Sequence, residues 1–323
     1  DAYNFSQQDR HLCVLPLYHA SGLYRNILLP FHAGGYVVLS DVFQYDDFWK
    51  DIASEKITFV QVVPSILKTL LMCTSNYSEG QARTLKFIGS ASAPHPVKLI
   101  QSFENRFGVY VLQGYGMTEA TCGITLNPLS RNERKYGSVG KPLSINRVEV
   151  VDEDGKILPQ GKIGRIVISG DNIAALSEAG QRINHTDNIT VTRTLDTGDI
   201  GYIDAEGFLW IVSRRQDIIK RGGYRISTNE IEDILMELFP DFEVAVVGVP
   251  HQLLGQDIIA FVANNRDRLT SRDILRSLKN RISSYKIPSD FVFVDSLPKI
   301  GVGKTDKKYL LHLYQSLSAK SKA

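Results

Sequence analysis

The alternation of short β-branched runs with helical patterns constrains this chain most. GGYVVLS, ITFVQVV, LKFIG and VYVLQGYG have the composition of buried strands, and FWKDIASEK and HPVKLIQSFENRFG, which lie between them, carry apolar residues near helical spacing. Strands that alternate with helices pair in parallel, because each crossover lays its helix on a face of the sheet. The first part of the chain is therefore predicted to be an α/β domain.

The pattern changes twice further along the chain. From about Gly137 the sequence consists of strands and glycine turns without long helices, and after Ser213 the βα rhythm returns. We predict one large domain, residues 1–213, with an α/β part at about 1–136 and a β-rich subdomain at about 137–213. A small α+β domain follows at 214–323, with the boundary at Arg214 to Asp217. Residues 174–194 are polar and are predicted to form an irregular loop.

The small domain has its own start and packing signals. Ser227 and Glu230 have capping-box spacing, so a helix is predicted to begin there. Its buried face would carry Ile231, Ile234, Leu235 and Leu238. Strands are predicted at VAVVGV, IIAFVA and DFVFVD, and a second helix from Ser271 to about Ser284.

Length, charge and cysteine usage narrow the class of protein. A chain of 323 residues favours two domains, and 37 basic against 35 acidic residues give no reason to expect a nucleic-acid or membrane-surface partner. Cys13, Cys73 and Cys122 lie far apart, so neither a disulfide framework nor a zinc site is suggested and a reducing cytoplasmic setting is the default. The absence of an apolar run of about 18 residues argues against a spanning helix.

The segment GYGMTEA, residues 114–120, places three useful groups directly after a predicted strand. The Tyr115 ring can stack on a purine, the Thr118 hydroxyl can bind a phosphate oxygen, and the Glu119 carboxylate can hold Mg²⁺. Open α/β sheets bind ligands at such strand ends. A G-Y-G sequence alone is also a common structural turn, so the companion motifs decide between the two interpretations.

Four further elements accompany this segment in order: PLYHASG upstream, and DTGD, SRRQDIIKRGGYRI and PKIGVGKTDKK downstream. Together they resemble the superfamily of acyl-CoA synthetases, adenylation domains and luciferases over essentially the whole chain. The resemblance implies the C-terminal part of a large α/β domain with a β-rich subdomain, followed by a small mobile α+β lid. It also implies activation of a carboxylic acid with ATP and Mg²⁺ as an acyl adenylate and transfer of the acyl group to CoA, as in fatty acid metabolism.

The resemblance assigns the nucleotide site residue by residue. Tyr115 would stack on the adenine, Thr118 would contact the α-phosphate, and Glu119 would hold Mg²⁺. Asp199 would bind the ribose hydroxyls and Arg214 the ribose or phosphate; Asp199 could instead be a turn residue. The remaining residues along the nucleotide are Ala91, Ser92, Ala93, Gly114 and Gly116, of which Ala91 and Ser92 stand where the family often has glycine.

The resemblance also assigns the lid and the acyl pocket. Lys304 would reach the reacting carboxylate and the α-phosphate, although a solvated basic loop is the plain alternative. Lys220, with Gly222 and Gly223, would face the pantetheine arm of CoA, although Gly-Gly is often only a turn. The hinge is predicted at Gln216 and Asp217, where Gln216 departs from the family's Asp or Lys. The acyl pocket would be lined by His19, Val63, Gly114, Cys122 and Ile124, which suggest an uncharged acyl group.

The family's Ser/Thr/Gly-rich phosphate loop would precede PLYHASG, where this sequence has only a short DAYNFSQQDR segment. Because pyrophosphate is the leaving group and needs preorganised donors, we expect the 323-residue chain alone to adenylate slowly or not at all. Three functions remain open: an acyl-CoA ligase, favoured by His19; an adenylation enzyme that loads a phosphopantetheinyl carrier protein; and a non-catalytic nucleotide- or acyl-binding fragment.

Overall fold

The computed structural model describes residues 2–40, 43–73, 77–93, 95–174, 193–264, 269–279, 281–300 and 304–320. Contacts divide the chain into two compact units. The first unit comprises Asp1–Thr197 and Gly201–Ile211, and the second comprises Gly198–Ile200 and Val212–Ala323. Of the predicted loop at 174–194, residues 175–192 lie outside the described part. No described helix is long and apolar enough to cross a membrane.

The α/β part of the first unit alternates strands and helices, as the sequence predicts. Its strands are β1 (Arg10–Cys13), β2 (Tyr36–Leu39), β3 (Phe59–Val62), β4 (Phe87–Ser90), β5 (Val111–Tyr115), β6 (Thr125–Leu126) and β7 (Lys141–Pro142). Its helices are a π-helical segment (Ser21–Leu28), α1 (Leu29–His32), α2 (Tyr45–Ser54), α3 (Pro64–Met72) and α4 (Val97–Phe107). The α/β class is therefore confirmed.

These strands form one sheet in the order β2-β1-β3-β4-β5-β6-β7. The first five strands are parallel, with registers such as His11 opposite Phe59 and Val60 opposite Ile88, and β6 and β7 pair antiparallel at the end. Because the order reverses beside β1, the strand ends next to it form the kind of crevice where open α/β sheets bind ligands.

Burial explains why the helices form where they do. Trp49 and Ile52 on α2, Leu67 on α3 and Phe103 on α4 have almost no exposed surface. Each lies on the apolar stripe of an amphipathic helix, and burying a side chain of this size stabilises the fold by about 1.5–3 kcal/mol. The α4 helix ends at Gly108, whose φ of 71° supplies the left-handed C-terminal cap.

The β-rich part of the chain forms a four-stranded sheet in the order β11-β10-β9-β8. The strands are β8 (Asn146–Val151), β9 (Gly164–Gly170), β10 (Thr194–Ile203) and β11 (Leu209–Arg214). Ile166 and Ile168 on β9 pack with Ala120 and Ile124, which lie just after β5. This shared core fixes the chain that follows GYGMTEA against the β-rich sheet.

The second unit has a five-stranded sheet covered by helices. Its strands are β12 (Ile218–Arg221), β13 (Tyr224–Ser227), β14 (Glu243–His251), β15 (Gly255–Ala263) and β16 (Asp290–Phe293), in the order β13-β12-β15-β14 with β16 parallel to β15. A hairpin, β17 (Lys299–Ile300) with β18 (Lys304–Thr305), and the helices α5 (Thr228–Leu238), α6 (Ser271–Leu278) and α7 (Lys307–Lys320) complete it. Ile231 and Leu235 are buried as predicted, with Ile234 and Leu238 packed at the edge of the same core.

The helix predicted at Ser227 begins there, with Ser227 as the N-cap residue of α5. Two details predicted for this unit are wrong. The capping box at Ser227 does not form: the Ser227 hydroxyl donates to the carbonyl of Val212 at 3.1 Å, and Glu230 pairs with Lys286. The helix predicted from Ser271 to about Ser284 ends at Leu278. A capping box does occur in this unit, at the start of α6, where Thr270 and Asp273 bind each other's backbone amides.

Candidate active site

Four predicted site segments follow parallel strands of the first unit directly. The PLYHASG loop follows β1, Val63 follows β3, the SASAP turn follows β4, and Tyr115 is the last residue of β5. Because parallel strands end at the same edge of a sheet, the topology brings these four segments to one edge. The sequence predicted the motifs, and the strand order shows that they adjoin.

The GYGMTEA segment turns sharply after β5. Gly116 lies so close to the returning chain that a Cβ there would stand 1.7 Å from the carbonyl oxygen of Cys122, so no other residue fits. Thr118 opens a short 3₁₀ turn, Thr118–Ala120, and the backbone at Thr121 and Cys122 is left-handed, with φ of 47° and 77°. Strained backbone of this kind is often found at functional sites.

Asn172, which the sequence analysis missed, holds the Glu119 turn in place. Its side-chain amide nitrogen donates to the Ala120 carbonyl at 2.8 Å, and its backbone carbonyl accepts from the Thr121 hydroxyl at 2.6 Å. The Ala174 amide donates to the Glu119 carbonyl at 2.7 Å. The Glu119 carboxylate itself has no hydrogen bond or ion pair to a described residue, so it can accept an external cation.

The SASAP turn after β4 has the predicted small residues. Ala91 is buried, whereas Ser92 and Ala93 are exposed, and Ser92 has a left-handed φ of 78°. His95 binds the Ser90 hydroxyl at 2.7 Å and so ties the end of β4 to the start of α4. Burial lowers the pKa of His95 to about 4, so its ring is neutral at physiological pH. The sequence analysis did not single out His95.

The predicted acyl-pocket residues Val63, Gly114, Cys122 and Ile124 are buried. The Nε2 atom of His19 is also buried and has no hydrogen-bond partner in the described part of the chain. Against Cys122 lies the side chain of Arg25, a charged residue that the sequence analysis missed. Its Nε atom lies 3.3 Å from the Cys122 Sγ atom.

A second group of predicted residues lies within the second unit. Arg214 Nε lies 3.2 Å from Asp199 Oδ1, and the Asp199 side chain is almost fully buried. Desolvation and the charge of Arg214 lower the pKa of Lys304 below its usual value, although the carboxylates of Asp217 and Asp199 act in the opposite direction. The charges of Asp199, Arg214 and Asp217 therefore act on Lys304, which lies far from them in the sequence.

The chain after Lys304 is anchored to α5. Lys307 Nζ lies 2.8 Å from Glu232 Oε1 and donates to the Thr228 hydroxyl at 2.8 Å. Glu232 also accepts from the Val246 amide at 2.6 Å, and burial raises the pKa of this carboxyl. This anchor fixes the end of the Lys304 hairpin to the body of the second unit.

Lys220, Gly222 and Gly223 lie on the hairpin between β12 and β13. Both glycines have positive φ, 55° and 86°, as a two-residue type I′ turn requires. Space is open where a Cβ on Gly223 would lie, whereas at Gly222 it would meet only Leu254. Arg221 fastens the hairpin through Asp257 at 2.8 Å and the Tyr285 carbonyl at 2.9 Å. The Gly-Gly pair is therefore a turn, and its role toward pantetheine stays a prediction.

A parallel sheet with GYGMTEA at its strand ends, followed by an α+β unit that presents Lys304 on a hairpin, defines the adenylate-forming class. The sequence model of the AMP-binding enzyme family matches residues 1–175, and that of the AMP-binding enzyme C-terminal domain matches residues 230–304. The chain therefore belongs to the AMP-binding enzyme family, within the superfamily that the motifs indicated.

Its relatives include CoA ligases. The chain is 37% identical over 306 residues to a sulfoacetate–CoA ligase of Cupriavidus necator, covering 94% of this chain and 59% of that protein. It is 32% identical to an oxalate–CoA ligase of Saccharomyces cerevisiae, covering 98% and 58%. Among solved structures, ATP-bound MatB from Rhodopseudomonas palustris matches with a TM-score of 0.88 and 28% identity, covering 98% of this chain and 62% of that one. The chain thus spans about three fifths of the length of these relatives.

Proposed function

We propose that this protein is an AMP-forming acid–thiol ligase. It activates a carboxylic acid with ATP as an acyl adenylate, releases pyrophosphate, and transfers the acyl group to CoA. The observation that carries the proposal is the meeting of the PLYHASG, SASAP and GYGMTEA loops at one edge of a parallel sheet. The acids named for the relatives range from sulfoacetate and oxalate to indoleacetate and long-chain fatty acids, so they leave the acid open.

The first unit would hold the adenine and the phosphates. Tyr115 would stack on the adenine beside the SASAP turn, and the exposed Thr118 hydroxyl would bind the α-phosphate. Glu119 would hold Mg²⁺, which neutralises phosphate charge when bound. Among the described residues, no three metal-ligating side chains converge, which suits a cation held by one carboxylate and the phosphates.

The second unit would hold the ribose and deliver a cation. Asp199 would bind the ribose hydroxyls, and its pairing with Arg214 orients the carboxylate. Lys304 would stabilise the charge that concentrates where the carboxylate attacks the α-phosphate. We further propose that residues 214–323 act as a lid on a large domain at 1–213, with the hinge at Gln216 and Asp217, where the structure has a short 3₁₀ turn.

The thiol step would use the hairpin turn at Gly222 and Gly223, with Lys220 beside it. The turn presents backbone without side chains, against which a narrow pantetheine arm can lie. CoA is the proposed acceptor, and a phosphopantetheinyl carrier protein is the alternative. We place the reaction in the cytoplasm, which the free thiols of Cys13, Cys73 and Cys122 support.

The test is ATP–pyrophosphate exchange and thioester formation with a panel of carboxylic acids, using protein expressed from its whole reading frame. We expect exchange with at least one acid, and about a 10²- to 10³-fold loss in Lys304→Ala, as found when a transition-state donor is removed. Lys308→Ala removes an exposed lysine four positions along and serves as the matched control.

The outcomes separate the competing functions. Thioester formation with free CoA supports the ligase, and thioester formation only with a phosphopantetheinylated carrier supports the loading enzyme. Nucleotide binding without exchange for any acid would indicate a non-catalytic protein and would contradict the proposal.

A further inference from the structure

Arg25 is a buried charge that the proposed mechanism does not use. It lies in the π-helical segment Ser21–Leu28 after β1, and only 6% of its surface is exposed. π-Helical turns are rare in proteins, and those that do occur often lie at functional sites. An arginine is almost never fully buried unless it is paired, so its position needs an explanation.

The described surroundings of Arg25 contain no counter-ion. Its Nε atom lies 3.3 Å from the Cys122 Sγ atom, Nη2 donates to the Cys122 carbonyl at 3.3 Å, and the Tyr3 ring centre is 5.5 Å from the guanidinium carbon. No carboxylate of the described residues forms an ion pair with it. A thiol, a carbonyl and an aromatic face only partly compensate a guanidinium for leaving water.

The remaining donors of Arg25 face the end of β5. Its Nη1 atom makes no hydrogen bond to a described residue, and it lies 3.9 Å from where a Cβ on Gly114 would stand. The Nη2 atom lies 3.6 Å from the corresponding position on Gly123. Because both neighbours are glycines, neither of these two positions places a side chain between the guanidinium and the strand end that carries GYGMTEA.

A row of polar contacts relates Arg25 to the SASAP turn. The Ser92 hydroxyl lies 3.4 Å from the Ser21 hydroxyl, which lies 3.7 Å from the Cys122 Sγ atom, and Cys122 contacts Arg25. Counted from the SASAP turn, the guanidinium therefore lies beyond Ser21 and Cys122. The carboxyl end of the acyl group would react near the nucleotide, beside the SASAP turn. The far end of a short acyl group would then lie toward Arg25.

We propose that Arg25 binds a second acidic group, a carboxylate or sulfonate, at the far end of a short acyl substrate. The inference rests on the proposed ligase function and names its substrate class. It replaces the expectation of an uncharged acyl group, which considered Val63, Cys122 and Ile124 but not Arg25. A guanidinium pairs with planar or tetrahedral oxyanions through two parallel N–H bonds, whereas an uncharged acyl group would leave its charge uncompensated.

The experiment compares acids of equal length with and without the far acidic group. The pairs are malonate with propionate, succinate with butyrate, and sulfoacetate with propionate, measured as kcat/KM for thioester formation by protein from the whole reading frame. We expect the diacid of at least one pair to be preferred at least tenfold by the unmodified protein, and the pair that responds distinguishes carboxylate from sulfonate.

Substitution of the guanidinium completes the test. Arg25→Met keeps the length of the side chain without charge and should lower kcat/KM for the preferred diacid about 10²-fold, or about 2.7 kcal/mol, while the matched monoacid changes less than threefold. Arg25→Lys should retain part of the preference, and Arg131→Met, on the exposed surface of the same unit, should change neither substrate.

Failure of this inference is distinguishable from failure of the ligase function. If the unmodified protein uses monoacids with the same kcat/KM as the matched diacids, Arg25 does not bind a second acidic group. This conclusion holds whether or not the variants fold. If no acid supports ATP–pyrophosphate exchange, the ligase function itself is wrong.

Discussion

The buried ion pair between Glu104 and Arg134 ties the start of β5 to α4. Both side chains are at least 96% buried, and Arg134 Nη1 lies 2.6 Å from Glu104 Oε1. The same carboxylate accepts from the Val111 amide at 2.7 Å, and Arg134 donates to the Val111 carbonyl at 3.0 Å. Tyr136 donates to the other carboxylate oxygen. Val111 is the first residue of the strand that ends in Tyr115.

Removing one partner of the pair should therefore lower the free energy of unfolding far more than removing both. Arg134→Met leaves the Glu104 carboxylate buried without its counter-charge, and breaking a buried pair in this way costs about 3–5 kcal/mol. In the double variant Glu104→Gln with Arg134→Met, the amide can still accept from Val111 and no charge is stranded. We expect this double variant to recover at least half of the loss.

The assay is urea unfolding of the protein from the whole reading frame, together with hydrogen exchange at the Val111 amide. Arg134→Met should accelerate that exchange strongly, and the exposed Arg131→Met on the same turn should not. The reasoning is refuted if Arg134→Met loses less than about 1 kcal/mol of unfolding free energy, or if the double variant is no more stable than the single one.

Two further predictions concern a turn and a carboxyl group. Gly223→Ala strains a left-handed position, with φ of 86°, and fills open space on the hairpin, so thioester formation should fall more than adenylation; Gly207→Ala, with φ of 85° and equally open surroundings, should slow neither step. Burial raises the pKa of Asp204, but hydrogen bonds from Lys135 and Trp210 outweigh it and bring the pKa to about 2. Its stabilisation is thus present above about pH 4 and lost toward pH 2, so Asp204→Asn should be less stable than the unmodified protein at pH 7 and equal to it near pH 2 in thermal unfolding.

The alternation of strands and helices could be predicted because it depends on local periodicity. The runs at β2 to β5 and the apolar stripe of α4 are visible in short windows, and the structure has them where the patterns indicated. The helix α5 begins at Ser227 as predicted, but the capping box predicted there does not form, for a physical reason. Its hydroxyl has a partner outside the helix, the Val212 carbonyl, which no local spacing reveals.

The candidate site divides in the same way. GYGMTEA and the SASAP turn are each one uninterrupted stretch of sequence, so their residue types could be recognised locally. The roles assigned to these residues remain predictions. Arg25 lies 97 positions before its contact, Cys122, and nothing in the sequence around Arg25 distinguishes it from a surface arginine. Only the folded structure reveals its burial, because the segment after β1 contacts the loop after β5 although β3 and β4 lie between these two strands in the sheet.

The Cys122 carbonyl joins these two parts of the site. It occupies the space where a side chain at residue 116 would lie, and it accepts a hydrogen bond from Arg25 Nη2. The backbone at Cys122 is left-handed, with φ of 77°, and the peptide that closes the GYGMTEA turn also binds the guanidinium. A change in that peptide would move the proposed nucleotide-binding turn and the proposed acid-binding arginine together. Recognition of the acyl group and positioning of Tyr115 and Glu119 are therefore expected to depend on one backbone conformation.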